Sequence, residues 1–363
     1  MRRSNTWLTK RRKKMKACSK IGALITAAAM LLCGCSKGGS EEKADNYQTK
    51  ADFQIAEGFS LPENTDMGIY TFTQYGSGMG RIDALSMLFF SEEERQYAKR
   101  EECNDYSEQG ISPYAELKYE SKELHLSGNG YFYYFDEREE PAGAEYFNGE
   151  PIFERDFADT EIALKDGTVK LDELCATAQS YLTDCFAALG VSLETRPIYA
   201  IRHKADSEFA EMFFGLDLGG GATVKLSEYS LDDPQNEISL QFRVCMARAD
   251  KPFEVQSMFE LFTPQKCDNK SHIDCDEAIV SASNSMLAAA PHMKLLYASL
   301  EYIPKVESYD RTLWGEEFDH QYGAVYKAEP AWALYFQKED GSYQLTYVNA
   351  LSGKLETAGR APF

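Results

Sequence analysis

Between residues 171 and 189 apolar side chains recur at three- and four-residue steps: Leu171, Leu174, Cys175, Ala178, Tyr181, Leu182, Cys185, Phe186 and Leu189. That is the helical period, and Gly190 directly after it is the residue type that ends helices in a left-handed conformation. Downstream the pattern turns strand-like at residues 196–202, 209–216 and 237–246, with Gly, Asp and Pro between the runs. A second helix is expected to open at Ile273 and run to about Ala290, followed by strands at 295–303, 332–336 and 343–348. The order helix, strand, strand, strand thus occurs twice. Only the pattern recurs, so duplication and coincidence both stay open.

Upstream, Glu123-Leu-His-Leu-Ser127 and Tyr131-Phe-Tyr-Tyr-Phe135 flank Gly128-Asn129-Gly130, and Asn-Gly between β-rich runs predicts a hairpin. Ser91 followed by Glu94 has capping-box spacing, which predicts a charged surface helix from there through Gln96, Tyr97 and Arg100. Together these elements predict an α+β fold of antiparallel sheets, each packed by a helix. The expected boundaries are an N-terminal β-rich region over 51–160, a first α+β unit over 161–265 and a second over 266–363.

The start of the chain has a different grammar. Nine basic residues and no acid fall within the first twenty positions, and an apolar stretch of a dozen residues, 21–32, follows. A spanning helix needs about 20 such residues, so this stretch reads as the core of an export signal. Leu32-Cys33-Gly34-Cys35-Ser36 then resembles the lipobox of bacterial lipoproteins. The resemblance implies cleavage between Gly34 and Cys35 and lipidation of Cys35, which would hold the mature chain on the outer face of a cell membrane. A buried N-terminal helix would not account for the cations, the short apolar core and the small residues before cysteine together. Residues 35–50, rich in Gly, Ser and charge, are expected to be a disordered tether.

Loss of residues 1–34 would remove nine of 38 basic residues and none of the 58 acidic ones, leaving 29 against 58 and a net charge of −29 in place of −20. So acidic a surface repels phosphate backbones, which excludes nucleic acid as a partner. Six cysteines follow Cys35. Cys175 and Cys185 sit ten residues apart on a predicted helix, about 15 Å at ~1.5 Å per residue, too far to bond. Cys267 and Cys275 alone are spaced to close a short loop, and a disulfide or two thiols both fit.

Glu329-Pro-Ala-Trp-Ala-Leu-Tyr-Phe336, followed by Tyr347-Val-Asn-Ala-Leu-Ser-Gly-Lys-Leu-Glu356, resembles the closing hairpin of PepSY-like domains and YycH/YycI-type regulators. The alternation of Trp332, Leu334 and Phe336, and of Leu345, Tyr347 and Asn349, accounts for the strands without the family, and Ser352-Gly353 for the turn. The resemblance implies an extracytoplasmic module that binds or restrains partner proteins. A lipid anchor where the YycH/YycI type has a membrane helix sets this chain apart from that type, and no partner-binding residue carries over.

Motifs for chemistry are sparse. Gly76-Ser77-Gly78-Met79-Gly80 lacks both the dinucleotide spacing and the Gly-Lys-Ser/Thr of a phosphate loop. His272, Asp274, Cys275, Asp276 and Glu277 hold metal-capable groups, but helix-start acids explain them through the dipole. His125, His203, His292 and His320 are scattered, with no nucleophile elbow. The run 131–135 offers either core packing or, on a wet face, a stacking platform for peptide or sugar. The expectation is therefore a non-enzymatic, lipid-anchored interaction or regulatory module of a Gram-positive envelope, without cofactor or metal, meeting the membrane through Cys35 and an envelope protein. Capture of a peptide or glycan is the alternative, and an envelope hydrolase a more distant one.

Overall fold

A computed structural model describes residues 53–62, 67–74, 79–103, 113–143, 149–205, 207–223, 241–258, 261–268, 272–286, 289–309 and 324–360. The export signal, the tether, Gly34 and Cys35 lie outside these residues, as do His320 and most of the glycine stretch after Gly76.

Strands β1 (Gln54–Ile55) and β2 (Ile69–Gln74) precede helices α1 (Ile82–Phe89) and α2 (Glu92–Tyr97). Ser91 Oγ accepts from the Glu94 N–H at 3.2 Å while the Glu94 carboxylate accepts from the Ser91 N–H at 2.7 Å, a reciprocal cap. Helix α2 buries nothing and ends at Tyr97, short of the expected Arg100. Arg100 instead sits in β3 (Lys99–Cys103), where pairing with β4 (Tyr114–Tyr119) satisfies its backbone. The hairpin read around Asn129 joins β5 (Lys122–Ser127) to β6 (Phe132–Asp136), and Gly130 adopts a φ of +86° in its turn.

Next come β7 (Glu150–Phe153), the small hairpin of β8 (Glu161–Leu164) and β9 (Gly167–Lys170), and α3 (Leu171–Leu189). Gly190 closes α3 at φ +80°, and the Val191 N–H reaches back to the Phe186 carbonyl at 2.9 Å. Strands β10 (Thr195–Lys204), β11 (Glu208–Leu216), β12 (Ala222–Thr223), β13 (Gln241–Met246), β14 (Glu254–Ser257) and β15 (Phe262–Asp268) follow. Helix α4 (Cys275–Ser285) then leads into β16 (Met293–Tyr309), β17 (Ala324–Lys338), β18 (Tyr343–Asn349) and β19 (Leu355–Arg360).

Two large sheets result, in a mixed α+β fold. One has nine strands in the order β3-β4-β5-β6-β14-β13-β11-β10-β7, all antiparallel, and in the other the meander β16-β17-β18-β19 gains β1 and β12 as parallel partners of β16. Each of α3 and α4 is followed by four adjoining antiparallel strands rather than the expected three. Strands β14 and β19 were missed because each is short and mixes polar with apolar positions. The stretch 51–160 is shared between the sheets: β2 pairs with β15 and β17, while β3 to β7 widen the nine-stranded sheet. Neighbours in a sheet are chosen by which edge and apolar face remain open, not by sequence distance.

Helix α3 lays Leu174, Ala178, Leu182 and Phe186 on one face of the nine-stranded sheet, Phe186 meeting Phe242 edge-on at 5.0 Å. Helix α4 covers the second sheet with Ala278, Ile279 and Ala282, and Trp332 Nε1 donates to the Ile273 carbonyl at 2.9 Å. The faces turned away from these helices pack on each other, Tyr199, Ile201 and Phe213 against Ala331, Ala333, Tyr335, Leu345 and Tyr347. Trp332, Leu334 and Phe336 do share a face, as their alternation predicts, but the residues between them are buried too. Strand β17 is apolar on both sides because a helix layer lies on one and a sheet on the other.

The closing hairpin is held by its own polar groups. Asn349 Oδ1 accepts from the Leu351 and Ser352 N–H groups, both at 2.9 Å, and Gly353 takes φ +69°. No disulfide joins the described cysteines. Cys267 is exposed beside Thr71 Oγ1 at 3.1 Å, whereas Cys275 turns into the core under α4, so the two do not meet. Burial pushes the Cys175 thiol up to about 12, as suits a small core side chain.

Phe153 bridges the two sheets, with its ring 5.0 Å from that of Tyr297 and 5.1 Å from that of Tyr335. Phe153→Ala is expected to cost about 3–5 kcal/mol in urea unfolding monitored by circular dichroism, the range for a buried aromatic. A loss below about 1 kcal/mol would mean that the sheets do not depend on this contact.

Candidate functional site

Side chains on the face of the nine-stranded sheet away from α3 fall into rows fixed by register. One row reads Glu116, His125, Tyr133, Gln256, Arg243, Phe213 and Tyr199 across β4, β5, β6, β14, β13, β11 and β10. Its apolar end, Phe213 and Tyr199, is covered by the second sheet, while Glu116, His125, Tyr133, Gln256 and Arg243 stay partly exposed. The same strand β6 buries Phe132 and Tyr134 on the helix side, so the aromatic run supplies both a core and a wet face.

The exposed part is ordered by mutual contacts. The Tyr114 ring stacks on His125 at 5.1 Å, and His125 meets Tyr131 edge-on at 5.8 Å. Gln256 Nε2 donates to the Tyr131 hydroxyl at 3.0 Å, and Tyr133 stacks along Phe135 at 6.3 Å. Burial holds His125 below its ordinary pKa, partly offset by Glu116, so near neutral pH it is an uncharged ring with polar nitrogens.

Beside this row, on the same face of the sheet, runs a network of polar and charged groups that the sequence reading missed. His203 Nε2 lies 2.8 Å from Glu211 Oε2, Arg243 donates to Glu211 Oε1 at 3.3 Å, and Arg243 also pairs with Glu254. His203, Glu211 and Glu254 are each at most 5% exposed, so these polar groups find their partners in one another and in Arg243 rather than in water. Burial raises the Glu254 pKa against the pull of Arg243. Cys245 lies in the same cluster, opposite Glu211, but burial and both glutamates push its thiol far above its ordinary value, which makes it a poor nucleophile. The signal in the sequence was a single Glu within an otherwise apolar strand, Phe209-Ala-Glu-Met-Phe-Phe.

A second feature lies at the end of the layer between the sheets: a cavity of about 350 Å³ between β10, β12 and β16, with Glu154 and Arg196 among its lining. Arg196 donates to the Gly220 carbonyl at 2.9 Å and to Glu154 at 3.2 Å. Glu301, 1% exposed, also lines it, with Oε1 accepting from the Tyr335 hydroxyl at 2.6 Å and from Ser299 Oγ at 2.9 Å. Burial lifts its pKa, while the hydroxyls of Tyr335, Tyr347 and Ser299 oppose the rise.

The residues grouped by sequence around 272–277 play structural parts: Asp274 precedes α4, Asp276 and Glu277 fill its first turn, and Cys275 is core. His292 pairs with Glu339 on the surface at 2.9 Å. Among the described residues no helix is long and apolar enough to cross a membrane.

No family model and no curated protein sequence matches this chain. Two solved structures are similar. An uncharacterized protein from Eubacterium rectale ATCC 33656 superposes with a TM-score of 0.57 at 8% identity, covering 86% of this chain and 98% of its own. The Bacillus megaterium YpeB C-terminal domain gives a TM-score of 0.40 at 10% identity, over 80% of this chain and 100% of its own. The first likeness is one of fold alone, and nothing rests on the second.

Glu301 carries a testable pH dependence. A carboxyl whose folded pKa lies above the ordinary 4.5 keeps its proton longer in the folded chain, so its charge destabilises the fold only as pH rises from about 4.5 through the folded pKa. Glu301→Gln removes that loss. The melting-temperature advantage of the variant is expected to be small near about pH 4 and to widen toward about pH 8. A constant or narrowing gap would show that Glu301 keeps an ordinary pKa.

Proposed function

We propose that this chain is a lipid-anchored extracytoplasmic binding module that engages an envelope protein through the partly exposed face of its nine-stranded sheet. The observation that carries this reading is the patch of Tyr114, His125, Tyr131 and Gln256, held by contacts with one another, with Tyr133 and Arg243 beside them on the same partly exposed face. Tyrosine and arginine in such settings contribute contact area at little entropic loss, which is why they dominate interface energetics. The partner's matching surface is basic with apolar side chains, since the mature chain would carry −29. The lipobox at Gly34 and Cys35 supports anchoring, and the closing hairpin at 329–356 supports a PepSY-like, non-enzymatic role. Capture of a glycan is the second reading, because stacked rings on a wet sheet face also suit a sugar.

Two measurements test this. Cys35→Ala is expected to move the protein from the membrane fraction to the medium or soluble fraction of the producing cells, and retention on the membrane would remove the lipid anchor from the reading. A photo-crosslinking residue in place of Tyr133 is expected to give a discrete protein adduct in intact cells, lost with Tyr131→Ala, while the same probe in place of exposed Tyr97 gives none. Adducts to glycan alone, or equal adducts from both positions, would overturn the protein-partner reading.

A further inference from the structure

The cavity between the sheets is built around a carboxylate that the interaction face does not use. Its walls at Pro62, Pro197, Ile198 and Ala222 are apolar, and its volume of about 350 Å³ suits a ligand of a few linked heavy-atom groups. Glu154 and Arg196 neutralise each other at 3.2 Å, which leaves Glu301 as the uncompensated acid of the lining. Glu301 Oε1 is occupied by Tyr335 and Ser299, whereas Oε2 is buried without a hydrogen-bond partner among the described residues. Tyr347 favours the charged form but makes no bond of normal geometry to Oε2. A buried carboxylate oxygen left unmatched costs several times what an ordinary hydrogen bond gains, unless something donates to it.

We propose that this cavity binds an alkylammonium group, with the cation donating to Glu301 Oε2 and the methylene chain lying along Pro197 and Ile198. The walls explain the chain and the acid explains the head. A metal ion is a poorer fit, because no group of three or more His, Cys, Asp or Glu side chains able to hold one occurs among the described residues, and hard cations need several oxygen ligands. An anion is disfavoured because the guanidinium of Arg196 is already committed to Glu154 and Gly220. Two sources carry the required group: a free diamine, or the lysyl side chain of a peptide.

Isothermal titration calorimetry on the full lipidated chain in detergent micelles distinguishes them, with cadaverine and the peptide Gly-Lys-Gly amide as the amine probes and pentanol as the uncharged control. One or both amines are expected to bind and pentanol not to. Binding of cadaverine alone assigns the free diamine, and tighter binding of the peptide assigns the lysyl side chain. Glu301→Gln is expected to weaken the bound amine by about tenfold to a hundredfold, the worth of a charge-assisted hydrogen bond. Ser60→Trp places bulk at the exposed rim without touching the carboxylate, and the same loss is expected from it. Absence of heat with both amines, equal affinity for pentanol, or amine binding unchanged in both variants would overturn the proposal. These readouts are independent of the crosslinking from the sheet face, so either reading can fail alone.

Discussion

The contact between the two sheets is the constraint on which the rest of the molecule depends. Each sheet buries one face under a helix, but a sheet nine or eight strands wide has far more apolar surface than one helix covers. Tyr199, Ile201 and Phe213 on one side and Ala331, Ala333, Tyr335 and Tyr347 on the other bury that surplus, with Phe153 wedged against Tyr297 and Tyr335. At roughly 25 cal/mol per Å² of apolar area removed from water, a contact of this kind is a principal source of stability.

That contact covers only part of the nine-stranded sheet, and the division decides where function can sit. On β10 and β11 the face is closed by the second sheet. On β13, β14, β6, β5 and β4 the same face is polar and aromatic, because there it meets water. The network of His203, Glu211, Arg243 and Glu254 is largely removed from water, and its polar groups take their partners from one another. The cavity beside Glu301 is lined from both sheets, by Arg196 and Ile198 of β10 and by Tyr297 and Ser299 of β16.

Much of the fold was legible in the sequence. The helix Leu171–Leu189 and its Gly190 cap, the Ser91 and Glu94 capping box and the Asn129 hairpin each rest on interactions within a few residues. The strands β14 and β19 and the end of α2 were not legible because their short stretches mix polar with apolar positions, nor was the splitting of residues 51–160 between two sheets, because β2 pairs with β15 and β17, remote in sequence. Of the site, the aromatic run at 131–135 was visible as an option, core or wet face, and its alternation made it both. His203 looked isolated because Glu211 reaches it only across the β10 and β11 pairing.

What the sequence by itself determined is therefore what local chemistry encodes: the α+β class, the helix positions and their caps, the turn geometry, and the acidity of the chain. What only the tertiary structure decided is which faces are covered and which charges meet. Trp332 to Phe336 reads as one alternating strand, yet both of its sides are buried because α4 and the nine-stranded sheet close on it from opposite directions. Glu301 reads as one acid among 58, and becomes singular because packing removes it from water and leaves one of its oxygens without a donor among the described residues. Burial is a property of the assembled layers, and no single strand carries it.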